Sequence, residues 1–323
     1  MTSSPVFVVG CPRSGTTLVR LMLDAHPDLA IPPESHFIPL AWRVRRRYEG
    51  PNGFNAELLA RQIMHGHRFR EWELPEEAVW RQLETLERPD FTSVIEAFFV
   101  AYSEFQGKPK WGDKTPNYSA DMPLLATLWP DARFVHVVRD GRNVSASLLE
   151  IPRPRMNITE AAQMWSERVK KGAQDGLSLG DRYLEIRYED LLADASHILA
   201  LVCDHVDLDF RPEMLEFSRS APSSIPTRSW EDYHRNLAKP LTVTRDWRAS
   251  LAAAQVAAIE AVAGNELTEF GYERHFEIVP FHVRVKARLT VLLNKVMHLG
   301  WKIRITITTR FHPNFIPPPR RWL

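Results

Sequence analysis

The chain has 323 residues, 44% hydrophobic and 25% charged, which is ordinary for a soluble globular protein with a substantial core. Its net charge of +1 is uneven. Residues 281–323 carry nine Lys or Arg and no Asp or Glu, so residues 1–280 carry −8, and no recognised nucleic-acid-binding module accompanies the basic end. Two cysteines make no disulfide framework or metal site, and we find neither a secretory signal nor a run of about 18 apolar residues. We therefore expect a cytoplasmic protein with no nucleic-acid partner.

The first predicted elements are a buried strand over Pro5–Gly10, a glycine loop GCPRSGTT at residues 10–17, and a helix over Thr16–His26. The two glycines let the backbone curl so that N–H groups point at an anion, and the helix adds the positive end of its dipole. The residues expected to bind this anion are Arg13, Ser14, Gly15, Thr16 and Thr17. A phosphate-binding P-loop reads G-x-x-x-x-G-K-[ST], and here Thr16 occupies the lysine position.

This loop has three possible functional interpretations. A nucleotide hydrolase needs the missing lysine and an acidic residue for Mg²⁺ after another strand, where the chain has Arg139 before Asp140. A cysteine phosphatase needs an arginine six residues after Cys11, where the chain has Thr17. The remaining interpretation is a loop for a shorter 5′ group, without a γ-phosphate and without a metal.

After the first helix, IPPESHF (residues 31–37) predicts a loop or short strand. The region from Leu40 to about Phe105 is helical and rich in Trp and Arg, which suits a large aromatic, lipid-like or anionic acceptor. Farther along, strands Arg133–Val138 and Tyr183–Arg187 alternate with helices Gly141–Leu149, Glu160–Gln174, Tyr188–Val206 and Leu251–Phe270. This alternation predicts an α/β fold with a P-loop-type parallel sheet flanked by helices. We expect one domain over residues 1–280 with a helical cap over 40–108, and a basic extension over 281–323.

Arg139 lies where the strand Arg133–Val138 ends, and Ser147 follows eight residues later in the next helix. An arginine fork and a hydroxyl together can hold a phosphate monoester. The alternative is a structural role, in which Arg139 ends the strand and Asp140–Arg142 form surface ion pairs.

These two segments resemble those of a known family. GCPRSGTTLVRLMLDAHP resembles the 5′-phosphosulfate loop of sulfotransferases that use 3′-phosphoadenosine 5′-phosphosulfate (PAPS), and FVHVVRDGRNVSASLL resembles their 3′-phosphate segment. The resemblance is closest to the protein-tyrosine sulfotransferase-like branch and its bacterial relatives. It implies that Arg139 and Ser147 hold the 3′-phosphate of the donor. It also implies that Tyr188 lies near the adenine and that Lys239 belongs to a loop that closes over the nucleotide.

The resemblance implies catalytic residues as well. Glu34, in IPPESHF, is the candidate general base, for which we expect burial with a raised pKa or tight geometry, and His36 is the rival base. Lys114, in WGDKTPNY, is expected to reach the leaving-group oxygen, and Arg13 to share that role from the loop.

We therefore predict a PAPS-dependent sulfotransferase that moves the sulfuryl group by in-line displacement and releases adenosine 3′,5′-bisphosphate without a metal. The acceptor is a small molecule, a lipid-like molecule or a peptide that offers a hydroxyl in preference to an amine. The rivals are an ATP-dependent small-molecule kinase of the P-loop type and a non-catalytic nucleotide-binding protein that docks on a membrane. The mixed cations and apolar residues of 283–305 predict a surface helix in peripheral contact with anionic lipid. A cover for the core and a homodimer contact are the alternatives for this helix.

Overall fold

The computed structural model describes residues 4–51, 53–151, 156–219 and 245–311. The strands are β1 (Val6–Gly10), β2 (Leu29–Ala30), β3 (Glu49–Gly50), β4 (Gly53–Phe54), β5 (Lys110–Lys114), β6 (Arg133–Val138) and β7 (Tyr183–Arg187). The helices up to β6 are α1 (Thr16–Asp24), α2 (Phe37–Arg43), α3 (Ala56–Met64), α4 (His67–Arg70), α5 (Glu76–Glu84), α6 (Phe91–Phe105) and α7 (Met122–Leu128). The later helices are α8 (Gly141–Leu149), α9 (Ile158–Leu177), α10 (Tyr188–Ala193), α11 (Ala195–His205), α12 (Trp247–Ser250), α13 (Ala253–Glu269) and α14 (Phe281–Phe311). Short 3₁₀ helices cover Arg45–Arg47, Pro116–Ala120, Gly180–Arg182 and Pro212–Arg219.

Five parallel strands form a sheet in the order β2-β5-β1-β6-β7, and β3 pairs with β4 in a short antiparallel hairpin. The predicted α/β fold with a parallel sheet and flanking helices is confirmed. β5 is not predicted from the sequence, because KWGDK carries two lysines and an aspartate instead of the apolar run that marks a buried strand. This strand nevertheless lies between β2 and β1, with its last residue, Lys114, opposite Val8 of β1.

Alternate side chains of β1 enter two separate hydrophobic clusters, as the period of two in a strand requires. Phe7 and Val9 belong to an aromatic-rich cluster with helices α3, α5 and α6, which lie in the predicted cap. Val6 and Val8 belong to a cluster with α1 and α11. Trp72, in the predicted cap, is 3% exposed and packs in the aromatic-rich cluster. It therefore serves the core and is not available to an acceptor.

The described residues divide into two compact units. The first contains the residues up to Val138 and those from Gly172 to residue 219, including the whole five-stranded sheet. The second contains Arg139–Lys171 and the chain from Arg245 onward, with α8, α13 and α14. The domain predicted over residues 1–280 includes residues of both units.

A buried ion-pair network joins the start of α8 to α13 within the second unit. Asp140 accepts hydrogen bonds from the backbone N–H and from the guanidinium of Arg142, each at 2.8 Å. Arg142 also donates to Glu260 Oε1 at 3.1 Å and to the Glu273 carbonyl at 2.9 Å, and its guanidinium lies 4.2 Å from the ring centroid of Trp247. The pair of Asp140 and Arg142 is buried, so the alternative of a surface ion pair is wrong.

Candidate active site

The loop of residues 10–17 joins β1 to α1, and close contacts require both of its glycines. A Cβ at Gly10 would lie 2.6 Å from the carbonyl oxygen of Val137. Gly15 has a φ of 96°, and a Cβ there would lie 2.2 Å from Cδ2 of Tyr188. The ring of Tyr188, at the start of α10, therefore packs directly on the bare backbone of the loop. Thr16, the first residue of α1, is buried.

The N-terminus of α1 is suited to an anion. Ser14 N donates to Cys11 O at 3.1 Å, which turns the chain, and Arg13 has a left-handed φ of 74°. Gly15 is the N-cap and offers no side chain, and the first N–H groups of a helix have no partner within the helix. Among the described residues, the buried Ser14 hydroxyl has no hydrogen-bond partner.

An unsatisfied buried hydroxyl is unfavourable by about 1–3 kcal/mol. An oxygen of a phosphate or sulfate group at the helix N-terminus would accept from the Ser14 hydroxyl and from the backbone N–H groups. The loop therefore fits the predicted 5′ group of a donor nucleotide.

Three of the predicted catalytic side chains lie together beside this loop. Lys114 Nζ donates to Glu34 Oε1 at 2.5 Å and to Thr17 Oγ1 at 3.2 Å. His36 Nε2 donates to the other carboxylate oxygen of Glu34 at 2.6 Å. A continuous series of contacts thus leads from His36 through Glu34 and Lys114 to Thr17 in the first turn of α1. We name Glu34, His36 and Lys114 the carboxylate cluster.

The topology of the sheet brings this cluster to the loop. β2, β5 and β1 are adjacent parallel strands, and the carboxyl ends of parallel strands meet at one edge of a sheet. Lys114 ends β5, and Glu34 follows four residues after the end of β2. His36 has a φ of 55° at the N-cap of α2, a rare conformation for a residue other than glycine and one often found at functional sites.

The electrostatics of the cluster keep Glu34 ionised. Burial acts to raise the pKa of Glu34, but Lys114 and His36 together hold that pKa well below its usual range. Burial lowers the pKa of Lys114, and Glu34 opposes this shift. The sequence predicts a raised pKa or tight geometry for Glu34. The structure shows the tight geometry, and the pKa is lowered instead of raised. The reason is that the charge of Lys114 and the hydrogen bonds outweigh desolvation.

A second polar network, which the sequence does not predict, alternates along the chain with the carboxylate cluster. Ser35 Oγ donates to Asp113 Oδ2 and lies 2.8 Å from the hydroxyl of Tyr118, and Thr115 Oγ1 donates to Asp113 Oδ1 at 2.7 Å. All four side chains are buried. Burial raises the pKa of Asp113 to about 6, although the hydrogen bonds from Ser35 and Thr115 act against this. We name Ser35, Asp113, Thr115 and Tyr118 the buried hydroxyl network.

Alternation along the chain separates the two groups. Glu34 and His36 belong to the carboxylate cluster, and Ser35 between them belongs to the buried hydroxyl network. Likewise, Lys114 stands between Asp113 and Thr115. The two polar triplets ESH and DKT, each with alternating roles, were the signal in the sequence that could have revealed this arrangement.

The predicted ligands of the 3′-phosphate, Arg139 and Ser147, belong to the second unit. Arg139 follows β6 directly and is half-buried, and Ser147 is buried in α8. Trp165 Nε1 donates to the carbonyl of Arg139 at 2.9 Å, and a Cβ at Gly141 would lie 2.5 Å from the ring of Trp165. Trp165 is fully buried and therefore fixes the backbone of this segment.

Tyr188 and Lys239 are the two remaining residues that are predicted to bind the donor nucleotide. Tyr188 lies against Gly15 of the loop, and its contact with an adenine stays a prediction. Lys239 lies outside the described residues. Among the residues that the structure describes, no group of three or more His, Cys, Asp and Glu could hold a metal ion.

Comparison with known proteins gives a consistent result. A family model described as the sulfotransferase family matches residues 5–212. The chain is 24% identical over 219 residues to a putative protein-tyrosine sulfotransferase of Caenorhabditis briggsae, a match that covers 65% of this chain and 68% of that protein. It is 28% identical over 198 residues to protein-tyrosine sulfotransferase 1 of Danio rerio, covering 58% of this chain but only 48% of that protein. The chain therefore spans about half the length of the zebrafish relative.

The fold also has a solved counterpart. The sulfotransferase domain of the Synechococcus PCC 7002 olefin synthase superposes with a TM-score of 0.58 at 24% identity, over 84% of this chain and 97% of that domain. At this level of identity the similarity establishes the fold.

Proposed function

Because the chain belongs to the sulfotransferase family, we propose that it transfers the sulfuryl group of PAPS to a hydroxyl acceptor, with Glu34 as the general base. The family predicted from the sequence is thereby confirmed. The observation that carries the proposal is the series of contacts from Glu34 through Lys114 to Thr17, which joins a carboxylate and a cation to the anion-binding N-terminus of α1.

In this proposal the loop binds the 5′-phosphosulfate through its backbone N–H groups, Ser14 and Arg13. The acceptor oxygen attacks sulfur in line with the leaving phosphate. The new S–O bond forms as the S–O bond to the phosphate breaks, and the electron pair of that bond leaves on the phosphate oxygen. The acceptor proton passes to Glu34, and Lys114 stabilises the charge on the leaving oxygen.

Lys114 has one ammonium group for two tasks. In the structure it pairs with Glu34, and this contact helps to hold the pKa of the carboxyl well below its usual range. A phosphate group carries more charge than a carboxylate, so we expect the bound donor to draw Lys114 toward its leaving oxygen. The pKa of Glu34 then rises, and Glu34 becomes a stronger base when the acceptor is in place.

His36 is the rival base, and its hydrogen bond to Glu34 supports the assignment of Glu34 as the base. His36 Nε2 lies 2.6 Å from Glu34 Oε2 and donates to it, so this nitrogen cannot at the same time accept a proton from the acceptor. We assign His36 the task of orienting Glu34.

The experiment measures transfer of ³⁵S from labelled PAPS to a panel of phenols and alcohols, beside calorimetric binding of adenosine 3′,5′-bisphosphate. We expect Glu34→Gln to reduce transfer by about 10²-fold or more without loss of bisphosphate affinity. His36→Asn should reduce transfer less, because it keeps the carboxylate. Undiminished turnover in Glu34→Gln would move the role of base to His36 or to water. Bisphosphate binding without transfer to any acceptor would favour a non-catalytic protein.

A further inference from the structure

We propose that helix α14 docks on the surface of an anionic lipid bilayer through its outward face, with no part in the transfer reaction. This helix belongs to the second unit and runs from Phe281 to Phe311. Its inward face is fixed on the same unit. Ala287 is 3% exposed, and Asn294 Nδ2 donates to Gln163 Oε1 of α9 at 3.2 Å.

The outward face is apolar and exposed. At about 100° per residue, six side chains on one side of α14 fall within an arc of about 80°. They are Phe281, Val285, Leu289, Leu292, Val296 and Leu299. Ala287 and Asn294 project to the opposite side of the helix. Leu289, Leu292 and Val296 are 62%, 60% and 60% exposed. Single exposed leucines are ordinary on a protein surface, but a continuous apolar stripe of this length marks a binding surface.

Cations border the stripe on both sides. On the helical wheel, Arg284, Arg288 and Lys295 lie within about 60° of one edge, and Lys286 lies about 60° beyond the other. The guanidinium of Arg284 is 5.9 Å from the ring centroid of Phe281. Long cationic side chains place their stems along apolar surface and their charges at its rim. An apolar arc with cations along its borders is the pattern of a helix that lies in a lipid interface.

The charge of α14 favours anionic lipid over a second copy of the chain as the binding partner. The sequence of α14 contains no Asp or Glu, so nothing on the helix itself balances these cations. A second copy of the chain on this face would bring two cationic borders together, whereas anionic headgroups carry the opposite charge. No helix among the described residues is long and apolar enough to cross a membrane, so the contact we infer lies along the surface.

The test uses the full chain in sedimentation with vesicles of phosphatidylcholine alone and of phosphatidylcholine with 30% phosphatidylserine. We expect binding to the anionic vesicles that weakens as salt is raised, and at least tenfold weaker binding to the neutral ones. The triple variant Leu289→Ser, Leu292→Ser, Val296→Ser should lose at least tenfold in affinity for the anionic vesicles. Arg284→Gln with Arg288→Gln should lose about fivefold per charge and flatten the dependence on salt.

The matched control is Leu58→Ser, Leu177→Ser, Leu201→Ser, which removes three exposed leucines from α3, α9 and α11. It should bind vesicles as the wild type does. Bisphosphate binding and circular dichroism confirm that each variant is folded, so a loss on vesicles reports the surface. Equal binding to both vesicle types, no binding to either, or a dimer in light scattering that the α14 triple variant dissociates would each overturn the proposal.

Discussion

Glu34 accepts hydrogen bonds on both carboxylate oxygens, and its two partners control its proton affinity in the same direction. Lys114 is buried, while Glu34 and His36 are only partly so. A buried cation that loses its carboxylate is strongly disfavoured, and so is the reverse. The two residues therefore depend on each other for their ionisation, and a substitution at one is measurable at the other.

Lys114→Met should raise the pKa of Glu34, because burial is then opposed by His36 alone. The acid limb of the pH profile of kcat/KM, which reports protonation of the free enzyme's base, should move to higher pH by about one unit or more. In the proposed mechanism Lys114 supplies the cation at the leaving oxygen, so activity at neutral pH should also fall by about 10²-fold. Lys110→Met removes a lysine of the same strand that binds the Asp207 carbonyl instead, and should leave the limb in place. An acid limb at the wild-type position in Lys114→Met would show that another group is the base.

At the scale of elements, the β1–α1 loop depends on the absence of a side chain at Gly15. Gly15→Ala places a Cβ at a φ of 96° and 2.2 Å from the ring of Tyr188. Gly107→Ala is a matched control, because Gly107 has a φ of 68° but no atom within 4 Å of a Cβ. We expect about 1 kcal/mol of destabilisation at Gly107 from backbone strain alone, and at least about 2 kcal/mol more at Gly15. Urea denaturation measures the free energy of unfolding of both variants. Equal destabilisation would mean that the ring of Tyr188 moves aside at no cost.

The buried hydroxyl network joins the loop after β2 to the end of β5, and it gives these elements a pH dependence. Burial raises the pKa of Asp113 to about 6 in the folded protein, above its value in an unfolded chain. A carboxyl of this kind binds its proton more tightly in the folded state. Its contribution to the free energy of unfolding is therefore fully present below about pH 4 and is lost as pH rises to about 6.

Asp113→Asn should remove this contribution while keeping the shape of the side chain. The free energy of unfolding of the wild type minus that of the variant should decrease by up to about 3 kcal/mol between pH 4 and pH 7. The measurement is urea denaturation at a series of pH values, with the exposed Asp131→Asn as the control. Glu34, whose own pH dependence has the opposite sign, is present in both proteins, so the difference reports Asp113 together with its interaction with Glu34. A difference that does not change with pH would show that Asp113 is ionised in the folded protein.

At the scale of the whole molecule, the sequence predicts those elements whose residues obey a simple pattern. Strands β6 and β7 begin and end at the predicted residues, and β1 begins one residue later, because apolar runs bounded by glycine or arginine mark them. Strand β5 is not predicted from its sequence, because its charged residues form hydrogen bonds with side chains that are distant along the chain. Lys114 has Glu34, and Asp113 has Ser35.

The site follows the same division. The loop and Lys114, Glu34 and His36 could be named from local motifs and their resemblance to a family. The direction of the shift in the pKa of Glu34 could not be predicted, because it depends on distances of 2.5 Å and 2.6 Å that only the folded chain sets. The packing of Tyr188 on Gly15 could not be predicted from the sequence either, because these residues are 173 positions apart.

The last prediction concerns the two phosphates of the donor nucleotide. The family resemblance assigns the 5′ group to Ser14 and its loop and the 3′-phosphate to Arg139. Adenosine 3′,5′-bisphosphate and AMP share the 5′-phosphate and differ only in the 3′-phosphate, so two variants and two nucleotides separate the roles. Arg139→Ala should weaken the bisphosphate by about 10- to 100-fold and AMP hardly at all.

Ser14→Ala should weaken both nucleotides by a similar factor of about ten, and should not lower the free energy of unfolding, because the hydroxyl that it removes is buried with no partner among the described residues. Calorimetry measures the affinities and urea denaturation the stability. Lys170→Ala removes an exposed cation from the second unit and controls for net charge. If Arg139→Ala weakened AMP as much as the bisphosphate, its guanidinium would serve the nucleotide in general, and recognition of the 3′-phosphate would have to come from other residues.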